Sequence, residues 1–411
     1  MRRLLRNRDF AMYWVGSTVS LLGDGVYFVA LAWQVYSLSN TPRALAYAGV
    51  AWMLPQLAGL LLAGAVSDRF DRRRIMMAAN ALSGLAIGSI GVLSMLGVLK
   101  LWQLWILVAV HGAGVAFFMP AAGALVPELV PEDMLVEANA LRQFVRPLTM
   151  RLLGPALGGV IVSVLGAGEA FLVDAFSFFF AVAAFALIRH RSSARAPVQS
   201  RRLREDIAEG LRFVASQDWL WLSLLAASAW LLIYVGPLEV LVPFLVKNKI
   251  GASARGLGLV YAAGGLGAMS FAFVVARKGL PRRALAFMYA VWSLTTFALA
   301  GLALANALGQ AMIVSFLVFG LGSTGEIVWQ TILQRRVPNQ LLGRVASVDW
   351  FASTLLVPIS FVLTAPIAAT LGAATTLLAA GILGGTLMAA CIALPPIRAR
   401  EPVHQPQLAQ A

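Results

Sequence analysis

Apolar runs of about 20 residues or more recur along the whole chain, and they constrain its fold more than any other feature. A helix of that length crosses the roughly 30 Å hydrocarbon core of a bilayer. The runs lie near 12–37, 44–67, 75–98, 102–126, 147–166, 170–189, 219–246, 256–277, 284–305, 309–333, 346–369 and 373–394. With 60% hydrophobic and only 12% charged residues in 411, and a mean hydropathy of +0.82, no soluble core could hide them. The expected fold is an all-α polytopic membrane protein with twelve transmembrane helices.

Charge placement orients it. If the N-terminus is cytoplasmic, all of the 32 Lys and Arg except Arg43, Lys100, Lys247, Lys249 and Arg255 fall on the inner side. This is the positive-inside pattern, with both termini in the cytoplasm of a bacterial inner-membrane protein. The formal charge of +14 then needs only anionic headgroups as partner, and no nucleic acid. Met1 to Asp9 is basic and precedes an apolar run, but that run is too long for a signal peptide and no cleavage pattern follows, so it is the first span. A single cysteine, Cys391, excludes an intramolecular disulfide, and three histidines form no cluster with metal-ligand spacing. No metal or cofactor is expected.

The longest polar stretch, 190–218, separates a six-span half at 1–189 from a second at 219–396, with a tail at 397–411. It begins RHRSSARAPVQSRR at Arg189, a flexible basic linker. Leu203, Ile207, Leu211 and Val214 then share one helical face, as in an interfacial helix. No extramembrane segment could hold a catalytic domain.

Between the second and third spans the chain reads GAVSDRFDRRRIM from Gly64. Arginines collect in any cytoplasmic turn, yet that does not explain the order Gly64, Asp68, Arg69, Arg72, Arg73. This hairpin resembles the signature of the major facilitator superfamily, except that Asp71 stands where the family usually has Gly. The resemblance implies two six-helix pseudo-repeats that rock around a central cavity. It also implies that the hairpin controls conformation, with Asp68 and Arg72 touching neighbouring helix ends.

Internal symmetry agrees with this. VPEDMLVEANALRQF from Val130, after the fourth span, aligns without a gap on VPNQLLGRVASVDWF from Val337, after the tenth. The second copy of the hairpin, ARKGLPRR from Ala276, keeps the basic residues and puts Lys278 opposite Asp68. In the longer alignment Glu128 faces Arg335, Glu137 faces Arg344 and Arg142 faces Asp349. Two readings are open: these charges close a cytoplasmic gate when the cavity faces outward, or each is solvated or paired within its own half.

The fifth span holds Gly154, Pro155, Gly158 and Gly159, similar to the end of the superfamily's antiporter signature. Small-residue packing alone would account for Gly158 and Gly159. The signature's upstream glycines are absent, as is its arginine in the fourth span. Together with Gly23-Asp24 and Gly343-Arg344-Val345, these elements resemble the branch that contains the enterobactin exporter and macrolide efflux proteins.

Mechanism rests on ionisable residues within spans, which are costly unless partnered or hydrated. They are Asp24, His111, Asp174, Glu239 and Glu326. Asp24 and His111 both sit roughly 20 Å from the inner boundary, so a proton relay between them is one reading, and a histidine bonded to a neighbouring helix is the other. Glu239 lies between Pro237 and Pro243, where irregular backbone often lines a cavity. Asp174 is expected near the outer end of its span within reach of water, and Glu326 near the inner end of the tenth. Arg142, Arg146 and Arg151 begin the fifth span on one side, serving an anionic substrate or anchoring headgroups, with anchoring favoured for Arg142 and Arg146.

No Gly-Lys pair occurs, so there is no P-loop and no ATP site. The expected protein is a monomeric secondary transporter that exports a small amphipathic molecule, a drug or siderophore, in exchange for protons. The alternatives are uptake or uniport of a metabolite or lipid, and, from another class, a non-transporting receptor. No nucleophile and base cluster suggests an enzyme.

Overall fold

A computed structural model describes residues 4, 6–190 and 203–398 of the chain. Inside the helices a few side chains, among them those at Asp68 and Arg69, lie outside the described residues, as does any packing of Gly64. Among the described residues eleven helices are long and apolar enough to cross a membrane. They are Arg8–Leu38, Arg72–Met95, Leu101–Leu129, Glu137–Val164, Ala167–Ala186, Asp218–Asn248, Ala254–Lys278, Ala284–Leu304, Leu308–Arg336, Gln340–Leu371 and Ala373–Cys391. The 28-residue helix Pro42–Arg69 follows the first of these and completes the twelve as the second span.

Spans 1 to 6 and spans 7 to 12 form two groups with the same internal packing. In the first group, spans 1 and 6, 1 and 5, 2 and 4, 3 and 4, and 3 and 6 lie together, and each pairing recurs six spans later. The groups meet along span 5 against span 8 and span 2 against span 11. These two seams are also equivalent under the repeat, as two parallel copies require.

Two spans are not regular α-helices. Leu148–Leu153 in span 5 and Pro237–Leu241 in span 7 are π-helical. The cause is readable: Pro155 has no N–H for the carbonyl of Arg151 four residues back, and Pro243 has none for that of Glu239. The ladder shifts by one residue instead, with the Gly154 N–H donating to the Thr149 carbonyl. Each proline thus widens the helix at the charged residue one turn before it.

The ends of the bundle differ. The end holding the N-terminus, the 68–74 hairpin and Arg335 to Arg344 is called the basic end here, and the opposite one the far end. At the far end the groups are joined. The Tyr36 hydroxyl donates to the Val240 carbonyl at 2.6 Å, Lys247 Nζ donates to the Tyr36 carbonyl at 2.6 Å, and the Asn40 and Asn248 amides bond each other. The Arg255 N–H donates to Ser163 Oγ at 2.8 Å. Backbones also close directly, since a Cβ on Gly159 would lie 3.0 Å from the Cα of Gly258.

At the basic end, hydrogen bonds among the described residues stay within a group or go to the linker. The linker helix Leu203–Ser216 docks on the second group, where Glu209 pairs with Arg344 at 2.7 Å and Val214 is buried. The apolar face expected to lie on the bilayer therefore covers protein at Val214, while Leu211 stays exposed. Closed at the far end, the space between the groups leaves Arg146, Arg151 and Glu239 exposed within it.

Candidate functional site

The walls of this cleft are built by spans 1, 5, 7, 8 and 10. Asp24, midway along span 1, is partly exposed while its neighbours Gly23 and Gly25 are buried, so its carboxylate faces the opening. It lies within electrostatic reach of Arg146 on span 5 and of Asp174 on span 6. Asp174 is close because Gly23 leaves room: a Cβ there would collide with Asp174 Oδ1 and Ser177 Oγ. The expectation that water reaches Asp174 is corrected by this packing, since the residue is fully buried. Its Oδ1 accepts from Ser177 Oγ at 3.2 Å, and its Oδ2 has no protein partner among the described residues.

His111 is also buried, and it lies edge-on to the rings of Tyr27, at 5.2 Å, and Phe178, at 5.6 Å. No hydrogen bond joins it to Asp24 among the described residues. Tyr27 stands between the two, its hydroxyl and the Nδ1 of His111 both lacking partners among the described residues, and it feels the charges of Asp24 and Asp174. The polar centre of the first group is thus Asp24 with the buried Asp174, Tyr27 and His111, in place of an Asp24 and His111 pair. Tyr27 and Ser177 escape sequence reasoning because neither stands out among aromatic and small polar residues within spans.

Span 5 supplies the cations. Arg146 and Arg151 are exposed on the cleft side, within electrostatic reach of each other, and Arg146 also feels Asp24. Headgroup anchoring, the reading favoured for Arg146, does not match this position. Its helix starts near Glu137, about three turns earlier than the apolar run suggests, so Arg146 is well inside the span. The Arg151 guanidinium lies 5.0 Å over the ring of Phe319, which belongs to the second group. Arg142 is placed 6.0 Å over Tyr13.

Opposite stands Glu239, exposed between buried Leu238 and Val240 and within electrostatic reach of Arg151. Near it the rings of Tyr234 and Trp230 stack at 4.7 Å, and Trp230 stacks on Trp292 at 5.2 Å. Glu326 is set apart: it is exposed and accepts from Gln330 at 3.0 Å.

The hairpin acts by contacts to helix ends. Asp71 caps the third span, accepting from the N–H groups of Arg73 and Arg74 at 2.9 and 3.3 Å. A capping carboxylate thus occupies the place usual for Gly. Arg72 donates to the Ala124 carbonyl at 2.9 Å and pairs with Glu128 through a short bond. Arg73 bonds the carbonyls of Ile188 and Ala186 at the end of span 6. In the fifth span Gly154 meets Gly25, Gly158 meets the backbone of Val26, and Pro155 and Gly159 face Gly258 of span 8.

Of the aligned charges, Glu128 is on Arg72, Arg344 on Glu209, and Asp349 accepts from Trp329 Nε1 at 3.1 Å. Glu137 and Arg335 are exposed at the basic end. The recorded partners lie within the same group or on the linker helix.

Comparison with known proteins gives a consistent result. Residues 4–410 match the family described as transmembrane secretion effector. The multidrug efflux pump Tap of Mycobacterium tuberculosis (strain ATCC 25618 / H37Rv) is 27% identical over 369 residues, covering 87% of this chain and 86% of Tap. Macrolide efflux protein A of Streptococcus pyogenes is 22% identical over 392 residues, 94% of each chain. Among solved structures, the nucleoside transporter NupG superposes with a TM-score of 0.70 at 10% identity, over 92% of this chain and 97% of NupG. A bacterial homologue of the iron transporter ferroportin in an inward-facing state gives 0.62 at 18% identity, over 95% and 100%.

Proposed function

The chain belongs to the transmembrane secretion effector family of the major facilitator superfamily, and on that premise we propose that it exports small amphipathic molecules from the cytoplasm in exchange for protons. The relatives named for multidrug and macrolide efflux support the direction of transport. The observation that carries the coupling is the pair Asp24 and Asp174 beside Arg146, halfway through the membrane in a cleft closed at one end. Two carboxylates held together, one of them fully buried, repel each other, and one proton relieves that repulsion. A proton arriving from the far side would release Arg146, and solute binding from the basic side would expel the proton.

In this reading the basic end is cytoplasmic in the inner membrane, the groups 1–189 and 219–396 are the moving units, and 190–218 ties them. The Gly64, Asp68, Arg69, Arg72 and Arg73 hairpin holds the first group rigid while the Gly154, Pro155, Gly158 and Gly159 segment slides on span 8. Glu128, Glu137 and Arg142 meet Arg335, Arg344 and Asp349 when the far end opens.

The test is reconstitution in vesicles with an imposed pH gradient. A transported solute should dissipate the gradient, and Asp24→Asn should abolish that proton movement while the protein still folds. Solute accumulation with no proton movement would remove the antiport reading. For the gate, Glu137→Arg and Arg344→Glu should each lower transport, and the double reversal should restore it. If it does not, the pairing is wrong.

A further inference from the structure

Two arginines deep in a membrane need an anion or water, because an isolated charge there costs several kcal/mol. Arg146 and Arg151 have no carboxylate in ion-pair contact among the described residues. Asp24 and Glu239 lie within electrostatic reach of them, yet neither forms a salt bridge with them. The position of Arg151 is built, not incidental. Its carbonyl has lost the partner that Pro155 cannot provide, the π-helical turn carries it toward span 8, and Gly265 packs against that carbonyl. The guanidinium lies 5.0 Å over the ring of Phe319, and a ring contact of this kind uses none of the N–H groups that bind a planar or tetrahedral anion. Tyr234, within electrostatic reach of Arg151, heads a stack with Trp230 and Trp292 that is buried in the second group.

We propose that Arg146 and Arg151 form a subsite for an anionic group, so that the solute is an amphipathic organic anion. Its carboxylate, sulfonate or phosphate sits between the two guanidinium groups and its apolar body lies in the cleft on the side of Phe319. Glu239, within electrostatic reach of Arg151, is the built-in competitor for it. This rests on the exporter reading and narrows it.

Three features of the cleft follow from that assignment. Two cations stand on the same face of one span, where an export site for cations would carry acids. Each lies beside an acid contributed by a different group, Asp24 from the first and Glu239 from the second. An anion seated on both arginines would take their attraction from Asp24 and Glu239 at once.

The experiment uses a matched pair of probes on the full chain in phosphatidylcholine nanodiscs: 8-anilinonaphthalene-1-sulfonate and N-phenyl-1-naphthylamine, the same ring system without the sulfonate. Binding is followed by fluorescence after subtraction of empty nanodiscs. Arg151→Gln and Arg146→Gln should each weaken the sulfonate by about tenfold or more, as expected for a lost charge-assisted hydrogen bond. The neutral amine should change less than about twofold, and it serves as the check on folding. Arg151→Lys should retain part of the sulfonate affinity, and Glu239→Gln should raise it. Repeating the titration with phosphatidylglycerol in the nanodiscs separates two sources of anion. If it removes the arginine-dependent binding, a lipid headgroup occupies the subsite; if not, a free solute does, and both outcomes keep the anion site.

The inference is overturned if the arginine variants leave sulfonate binding unchanged, or if they weaken both probes equally. It is also overturned if the cation ethidium binds in preference to the sulfonate and depends on Glu239. None of these results bears on proton exchange, which is read from vesicles, so either proposal can fail alone.

Discussion

Arg72 shows how a single side chain ties distant parts of the sequence together. Partly buried at 14% exposure, it bonds both the Ala124 carbonyl and Glu128 near the end of span 4. Arg72→Ala removes both bonds, and about 1–3 kcal/mol of stability should go with them. Arg74 is exposed, so Arg74→Ala should stay within about 0.5 kcal/mol of the parent. Thermal unfolding followed by tryptophan fluorescence compares the two, and equal effects would mean the Arg72 bonds are not structural. At this scale the sequence revealed residue types but not partners. Asp24 and Glu239 stand out as carboxylates within apolar runs, whereas the pairing of Asp24 with Asp174 depends on how span 1 is rotated against span 6. Gly23 was the available signal, because a glycine beside a buried acid marks where another helix presses in.

Span 5 illustrates the element scale. Its apolar run starts near 147, but the helix extends back through Arg142 and Arg146, because a wet cleft tolerates charges that lipid would reject. Hydropathy alone therefore places the boundary too late wherever a span lines water. The prolines were better guides: Pro155 and Pro243 each sit one turn after the charged residue whose carbonyl they release. Pro155→Ala should restore the missing bond, draw the π segment into a regular α-helix and rotate Arg151 away from Phe319. Transport should fall several-fold while thermal stability is kept or raised. Full transport by this variant would show that the widened turn is dispensable.

For the whole molecule, twelve spans and their two-fold repeat were legible because lipid forces long apolar helices and the 130 and 337 segments align. The conformational state was not, since one sequence serves every state of the cycle. Here the far end is shut by side chains from both groups, and this can be trapped. In a Cys391→Ser background, Asn40→Cys with Asn248→Cys should crosslink on oxidation, abolish transport and recover it on reduction. Transport that survives the crosslink would mean that the far end never has to open. The same contacts set a resting preference. The five hydrogen bonds there each contribute about 1 kcal/mol or less, so opening the far side of a free carrier breaks contacts that together hold it by a few kcal/mol. Thermal motion alone then seldom carries the empty protein through its cycle. A carrier that stays put until loaded does not let protons leak across the membrane between cargoes.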